Sequence, residues 1–337
     1  MNSNDTNDNA TLLLGTCVYR RVWCKTGLFA CLRPFFVAGD TQVLLDALFD
    51  TVTAHSLYPN CEFEQWRKDN GLFYGAPQLD EDLQYRAAAI LAGQKEAVCK
   101  SLRQCLESSG LAESLPKSGV RQAYWQRVDW CLFGQNHALD IPVTVEQETY
   151  WSTTTFDLTV VLERQGFPLA YAVTEKERKS KNVTRTMRSL VKDSGYTVSP
   201  LPHLENDLPL EADEECFWWD DINWMRAFSM PSYGTELAWT NEMLEAWLML
   251  NYLSLWTDAA LLRLVRACGI DLSMGALKDA LTRAKLVCLD RVKPQEGLFA
   301  KIESQGDFER IAAALDIAPL PRTATWAQLT SILKLHD

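Results

Sequence analysis

The sequence predicts an α/β protein of the α+β kind, with a mixed sheet and flanking helices followed by a mostly helical C-terminal domain. Two observations lead to this prediction. Between residues 139 and 203, apolar and polar residues alternate in short runs, which is typical of strands. Longer segments on both sides, above all 80–107 and 236–268, carry apolar residues three and four positions apart, which is typical of helices.

The length and composition suit a globular chain of more than one domain. Its 337 residues are 47% hydrophobic and 23% charged, enough for two domains with a sizeable core. The first ten residues are polar and lack the positive flank and apolar run of a secretory signal. No apolar run approaches the roughly 20 residues of a membrane-spanning helix. We therefore expect a cytoplasmic protein without membrane contact. The predicted divisions are a disordered tail over 1–10, an N-terminal α/β region over 11–115, a hairpin and helix region over 116–204, an acidic connector over 205–234 and a helical domain over 235–337.

The N-terminal region predicts strands and then helices. Leu12 to Val37 is rich in Val, Leu, Phe and Cys, so we expect one or two strands there. Thr41 to Ala54 carries an apolar stripe at helical spacing. Asp80 to Glu107 predicts a helix or a helix pair, with Gly93 as the break. A linker that contains Pro116 follows.

A Gln-Gly turn separates two alternating runs, which predicts a β-hairpin over 156–174. A two-residue loop places Asp157 opposite Thr174, and longer loops shift its partner to the residues that follow. Leu139 to Glu146 is a further strand candidate ahead of the hairpin. Every register gathers two acids and a lysine at one end of the hairpin: Asp157, Glu175 and Lys176.

The charge distribution is uneven along the chain. A net charge of −11 argues against non-specific coating of nucleic acid, but it leaves a local DNA-binding site open. Residues 175–192 carry seven basic side chains against two acidic ones, whereas 205–221 carry eight acids and no base. Such blocks are also typical of solvated faces. The basic residues that we expect to contact phosphates are Lys179, Lys181, Arg185 and Arg188.

Ten cysteines are spread along the chain without any C-x-x-C pair. Their mostly apolar neighbours indicate reduced, buried thiols rather than a disulfide framework. A zinc site built from distant cysteines with His55 or His137 is disfavoured, because clustered ligand spacing is absent. No histidine pattern indicates a reactive cysteine.

The C-terminal domain predicts helices and a small hairpin. Residues 236–268 are dense in Trp, Leu and Met, which favours a buried helical core over a surface for stacking bases. A helix over 274–286 precedes a hairpin built from 287–293 and 297–302. Helix, turn, helix and hairpin is the layout of a winged helix.

The acids and lysine of the hairpin resemble those of the PD-(D/E)xK nuclease superfamily, which includes restriction enzymes, repair nucleases and the end-cleaving endonuclease subunit of heteromeric transposases. The resemblance covers about 139–203, where a helix over 182–193 and a strand over 196–200 would follow the hairpin. It implies a Mg²⁺-dependent DNA endonuclease in which Asp157 and Glu175 bind the metal and Lys176 orients the water. An upstream helical glutamate, such as Glu81 or Glu96, would complete the metal site.

The pattern departs from the family in two places, and other functions stay open. Phe156 precedes the aspartate where the family has proline, and Thr174 stands where the acid of the acid-x-lysine pair belongs. The alternative pair, Glu177 and Lys179, has the right spacing but follows the end of the hairpin. A degenerate nuclease-like subunit, or a non-enzymatic scaffold in a mobile-element or phage-defence complex with protein partners, would fit these departures.

Two further interpretations compete with a nuclease. Asp157 and Lys176 can form an ordinary cross-strand ion pair. The sequence Ser-Thr-Thr over 152–154 ahead of Glu-Lys-Glu over 175–177 is similar to elements of ADP-ribosyl transferases, although their spacing is short. Phosphate-binding glycine loops, serine-hydrolase elbows and zinc-protease motifs are absent from the sequence.

Overall fold

A computed structural model describes residues 11–37, 39–57, 81–111, 122–133, 144–146, 149–162, 168–174, 241–289, 297–301 and 306–333. These residues form helices and two antiparallel sheets, an arrangement compatible with the predicted α+β class. Every strand pairing among them is antiparallel. The strand predicted over 196–200 lies outside the described residues, so the mixed character of the sheet stays a prediction.

The chain divides into two packing units, each assembled from separate segments. The first unit comprises 1–25, 53–80 and 260–337, and the second comprises 26–52 and 81–259. The predicted boundaries near residues 115, 204 and 234 fall outside the described residues and stay predictions, as does the disorder predicted for 1–10.

The N-terminal segment is mainly helical, so the prediction of one or two strands over Leu12 to Val37 is wrong for most of its length. A short strand, β1 (Thr11–Leu13), leads into the helices α1 (Leu14–Thr26) and α2 (Leu28–Leu32) and a 3-10 turn. The reason lies in the spacing of the buried residues. In α1, residues 14–19 are buried without a gap, followed by Val22, Trp23 and Thr26, so the alternation of a half-buried strand is absent.

The helices predicted next are confirmed. They are α3 (Thr41–Leu57), α4 (Glu81–Ala92) and α5 (Lys95–Ser108). The helical conformation is interrupted at Gly93, between α4 and α5, as the glycine predicts. Helix α5 buries one stripe at helical spacing: Val98, Cys99, Leu102, Cys105 and Leu106.

The sheet of the second unit contains the predicted hairpin. Its strands are β2 (Gln122–Phe133), β3 (Thr144–Glu146), β4 (Thr149–Leu162) and β5 (Pro168–Thr174). Strand β4 pairs with β2 along most of its length, and on its other edge with β3 near its start and with β5 near its end. The long β4 is therefore the centre of this sheet.

The C-terminal region begins with a single long helix, α6 (Asn241–Ala267). Its buried Trp247, Leu248, Leu255 and Trp256 confirm the prediction that these residues form core. Among the residues that the structure describes, no helix is both long and apolar enough to cross a membrane.

The small hairpin predicted near the C-terminus is confirmed. Helix α7 (Met274–Arg283) is followed by β6 (Lys285–Cys288) and β7 (Leu298–Lys301), which pair with each other. The chain then forms α8 (Gly306–Ala314), β8 (Thr323–Thr325) and α9 (Trp326–Leu333). The four described strands of the first unit lie in the order β1-β6-β7-β8, so the first and the last quarter of the chain share one sheet.

Candidate functional site

The predicted site centres on Asp157, which lies within β4. Its register partner on β5 is Thr174, the partner that a two-residue loop predicts. The same register continues to Val161 opposite Ala170 and then shifts, because Leu162 pairs with Pro168. An irregularity of this kind near the turn re-aims the strand locally without moving the far end of the hairpin.

This register locates the end of β5 relative to Asp157. Strand β5 ends at Thr174, so the residues that follow begin next to the position of Asp157. The predicted Glu175, Lys176, Lys179, Lys181, Arg185 and Arg188, like the helix predicted over 182–193, lie outside the described residues. Their roles therefore stay predictions.

On its other edge, β4 places Asp157 opposite Arg127 of β2. Asp129 lies two residues farther along β2, opposite Thr155, so its position belongs to the same face of the sheet as that of Asp157. Diagonal neighbours on adjacent strands are about 7–8 Å apart. Asp129 is thus the acid nearest to Asp157 in the register of the described strands.

Strand β2, and with it both of these residues, was not predicted from the sequence. The strand carried a usable signal, since Tyr124, Val128, Trp130 and Leu132 occupy alternate positions, interrupted only by Gln126. Strands of this composition, rich in aromatic and β-branched residues, are typical of half-buried sheets.

The two glutamates that were expected to complete the metal site lie on neighbouring helices. Glu81 is the first residue of α4, and Glu96 is an exposed residue in the first turn of α5. Helix α5 contacts β5, the strand that leads to Glu175. Glu96 therefore belongs to an element next to the hairpin.

Carboxylate oxygens are the ligands that Mg²⁺ prefers in proteins. Within the described ranges, no group of three or more His, Cys, Asp or Glu side chains is arranged to hold a metal ion. Asp157 and Asp129 are residues of the right donor type.

A second group of chemically active side chains lies where α2 meets α5. Cys31 of α2 and Cys105 of α5, here called the thiol pair, face each other across this contact. The Cys31 Sγ lies 3.1 Å from Ser101 Oγ, and the Ser101 hydroxyl donates to the Cys31 carbonyl oxygen at 3.2 Å. The Cys105 thiol donates to the carbonyl oxygen of Thr26 at 2.9 Å.

Local structure positions both thiols. Gly27 adopts a left-handed conformation (φ 74°), which ends α1 and lets α2 start in a new direction. Leu28 and Leu32 are the buried residues of α2, and Cys31 beside them is half-buried. On α5, Ser101 and Cys105 are four residues apart, so they lie on one face of the helix.

The two thiols are inequivalent as acids. A hydrogen bond from Cys105 lowers the pKa of Cys31 below that of a free thiol, burial opposes this shift, and Ser101 adds to it. The same hydrogen bond, together with burial, raises the pKa of Cys105. The single hydrogen of Cys105 can serve only one acceptor at a time, so the carbonyl oxygen of Thr26 and the Cys31 sulfur compete for it.

The seven cysteines whose side chains the structure describes form no disulfide, as the sequence predicts; Cys17, Cys99, Cys105 and Cys288 are buried, whereas Cys24 and Cys31 are half-buried and Cys268 is exposed. Comparison with protein-family models, with curated proteins and with solved structures finds no match to this chain.

Proposed function

We propose that this chain is a nuclease-like protein whose hairpin site cleaves DNA with Mg²⁺. The observation that supports the proposal is the pairing of Asp157 with Thr174. It starts the segment that carries Glu175 and Lys176 beside the aspartate, as a PD-(D/E)xK hairpin requires.

In this proposal, Asp157 and Glu175 would hold the metal ion, which would supply Lewis-acid chemistry for phosphodiester hydrolysis. Lys176 would orient the attacking water toward the phosphorus atom. The register adds Asp129 as a further acid on the same face, and Glu96 on α5 is the exposed upstream glutamate. Lys179, Lys181, Arg185 and Arg188 contact the DNA backbone.

The finer features of the fold belong to the same proposal. A mixed sheet would arise if residues 196–200 added a parallel strand to the hairpin sheet. Helix α6, helix α7 and the β6–β7 hairpin follow one another as in a winged helix, and residues 261–301 carry eight basic side chains against four acidic ones. Such a module would present α7 to DNA.

The test is cleavage of supercoiled plasmid by the full-length protein with Mg²⁺ and with a chelator. We expect nicking that requires the metal, and a loss of about 100-fold or more in Asp157→Asn and in Lys176→Ala. The matched control is Asp307→Asn, which removes an exposed carboxylate that pairs with Arg310 at 3.2 Å on α8. Equal activity in all four proteins would contradict the assignment of the site.

One observation favours a second candidate, a nuclease-like subunit without activity in a mobile-element or phage-defence complex. The position opposite Asp157 holds a threonine hydroxyl instead of a carboxylate, which removes one hard oxygen ligand. This candidate predicts no cleavage by the wild-type protein, no Mg²⁺ binding by calorimetry, and a stable complex with protein partners encoded nearby.

Phosphate contacts can be tested separately from catalysis. Replacing Lys179, Lys181, Arg185 and Arg188 together by glutamine should weaken DNA binding and reduce its salt dependence by about four phosphate contacts. Measuring affinity at several salt concentrations checks this expectation. An unchanged slope would place DNA binding elsewhere on the chain.

A further inference from the structure

We propose that the thiol pair is an oxidation site at which a peroxide converts Cys31 and Cys105 into a disulfide that links α2 to α5. This inference does not depend on the nuclease proposal, and it rests on contacts between described residues alone.

Two features of the pair suit it to this reaction. First, the two thiols differ in exposure. Cys31 is half-buried and reachable by a small oxidant, whereas Cys105 is buried, with 5% of its surface exposed. Second, both sulfur atoms belong to one cluster, because Cys31 Sγ lies 3.1 Å from Ser101 Oγ and Ser101 precedes Cys105 by one helical turn. A disulfide needs a sulfur–sulfur distance of about 2.05 Å, so the two sulfur atoms must move from hydrogen-bonding contact to bonding distance.

The surrounding hydrogen bonds distinguish the two thiols chemically. The reactive form of a cysteine is the thiolate, and donors near its sulfur favour that form. The Ser101 hydroxyl and the Cys105 thiol can both rotate toward Cys31, and each has a second acceptor when Cys31 is protonated: the carbonyl oxygens of Cys31 and Thr26, respectively. Cys31 is therefore the attacking sulfur and Cys105 the resolving one.

The reaction proceeds in two balanced steps. The Cys31 thiolate attacks one oxygen of hydrogen peroxide; an S–O bond forms, the O–O bond breaks, and the departing hydroxide takes a proton to become water. The Cys105 sulfur then attacks Cys31; an S–S bond forms, the S–O bond breaks, and the Cys105 proton leaves with hydroxide as a second water. Two thiols are oxidised and one peroxide is reduced.

Oxidation would change the packing at this contact. Cys105 loses its hydrogen, so the bond of 2.9 Å to the carbonyl oxygen of Thr26 disappears. Thr26 is the last residue of α1 and lies next to Gly27, where the chain turns. The disulfide thus exchanges a hydrogen bond to α1 for a covalent link to α2.

The experiment treats the folded full-length protein with increasing hydrogen peroxide, blocks free thiols by alkylation after denaturation, and maps disulfides by peptide mass spectrometry. We expect a Cys31–Cys105 linked peptide, lighter than the sum of its reduced parts by two hydrogens, that disappears after reduction. Exposed Cys268 is the internal reference for oxidation of a solvent-accessible thiol.

Variants test which thiol attacks the peroxide and which resolves the sulfenic acid. Cys105→Ser should trap Cys31 as a sulfenic acid that reacts with dimedone, and Cys31→Ser should leave Cys105 reduced. Ser101→Ala should slow crosslinking severalfold, whereas Cys99→Ser, which changes another buried thiol of α5, should not.

Two outcomes would overturn the proposal. One is that Cys31 and Cys105 both remain open to alkylation at a peroxide concentration that oxidises Cys268. The other is that Cys31 links to other cysteines as often as to Cys105. Both are read from the wild-type protein, so a variant that fails to fold does not weaken the test.

Discussion

Gly15 of α1 lies so close to Leu281 of α7 that a Cβ atom on residue 15 would sit 2.9 Å from the Leu281 carbonyl oxygen. The same atom would meet Cδ1 of Leu57 at 3.0 Å. The nearest obstacle is backbone, which cannot rotate away as the end of a flexible side chain can. A glycine is therefore needed where α1 meets the carbonyl edge of α7.

We expect Gly15→Ala to lower the free energy of unfolding by about 1–3 kcal/mol, because an extra methyl group in a packed contact forces the backbone to shift. The control is Gly275→Ala on the exposed start of α7, where the nearest atom to a new Cβ is 3.9 Å away. There the better helix propensity of alanine should leave stability unchanged or raise it by up to about 1 kcal/mol. Urea unfolding of both variants measures these changes. Equal free energies of unfolding for the two variants would contradict the close contact between Gly15 and Leu281.

Asp316 is the one non-glycine residue with positive φ among the described residues (58°), and it pairs with Lys25 of α1 at 2.7 Å. Arg21, one turn earlier on α1, donates from Nε to the carbonyl oxygen of Leu315 at 3.0 Å. Two side chains of α1 thus hold the turn that follows α8. Aspartate and asparagine tolerate the left-handed conformation better than alanine.

Asp316→Asn should lower the free energy of unfolding by less than about 1 kcal/mol, because it removes only an ion pair whose carboxylate is largely exposed. Asp316→Ala should cost about 1 kcal/mol more, because it adds the left-handed penalty to the loss of charge. Thermal unfolding at matched ionic strength compares the two variants. If alanine is tolerated as well as asparagine, backbone conformation does not govern this turn.

Arg127 and Asp157 lie opposite each other in the register of β2 and β4, and the interaction between them can be measured by a double-mutant cycle. With Arg127→Ala, Asp157→Ala and the double variant, we expect a coupling free energy of about 0.2–1 kcal/mol that decreases as salt is added. The pair Asp307 and Arg310 on α8, with 3.2 Å between its charged atoms, serves as a surface reference. A coupling of zero at low salt would show that the two charges do not interact across β4.

The lowered pKa of Cys31 predicts how its alkylation depends on pH. Only the thiolate reacts, so the rate should rise with pH and reach half its maximum below the value of a free cysteine, roughly 8.5. The groups that set this shift are Cys105 and Ser101. Cys105→Ala removes the larger favourable contribution, so its midpoint should move to higher pH, while Cys99→Ala should leave it in place.

Peptide-level rates of iodoacetamide labelling give this midpoint directly. A profile for Cys31 that matches a free cysteine peptide, or a Cys105→Ala profile that coincides with wild type, would contradict the hydrogen bond between the thiols.

Local signals in the sequence predicted several elements correctly. Gly93 marks the break between α4 and α5, and the pairing of Asp157 with Thr174 is one of the registers that the sequence left open. Both depend on a few neighbouring residues, so no distant contact was needed to infer them. The register shift after Val161 was not predictable in this way, because bulges reflect packing against neighbouring strands.

Features set by distant contacts could not be predicted. The apolar run after Leu13 fits either a buried strand or a buried helix. It forms the helix α1 because of its packing against distant parts of the chain, which the local sequence does not reveal. Cys31 and Cys105 are far apart in sequence and meet only because α2 and α5 pack together. Asp129 became a candidate only when β2 was paired with β4. The roles of Glu175, Lys176 and the basic residues after them remain predictions from the sequence.

The pairing of β1 with β6 has a consequence for how the chain is made. Thr11 is the register partner of Val287, so this short ladder joins residues that leave the ribosome far apart in time. The N-terminal strand must wait without its partner while most of the polypeptide is synthesised. Ladders between such remote segments form slowly, since a large loop has to close first. Release of a nascent chain before Lys285 would therefore yield a molecule whose first unit cannot assemble its sheet, however well the second unit has folded.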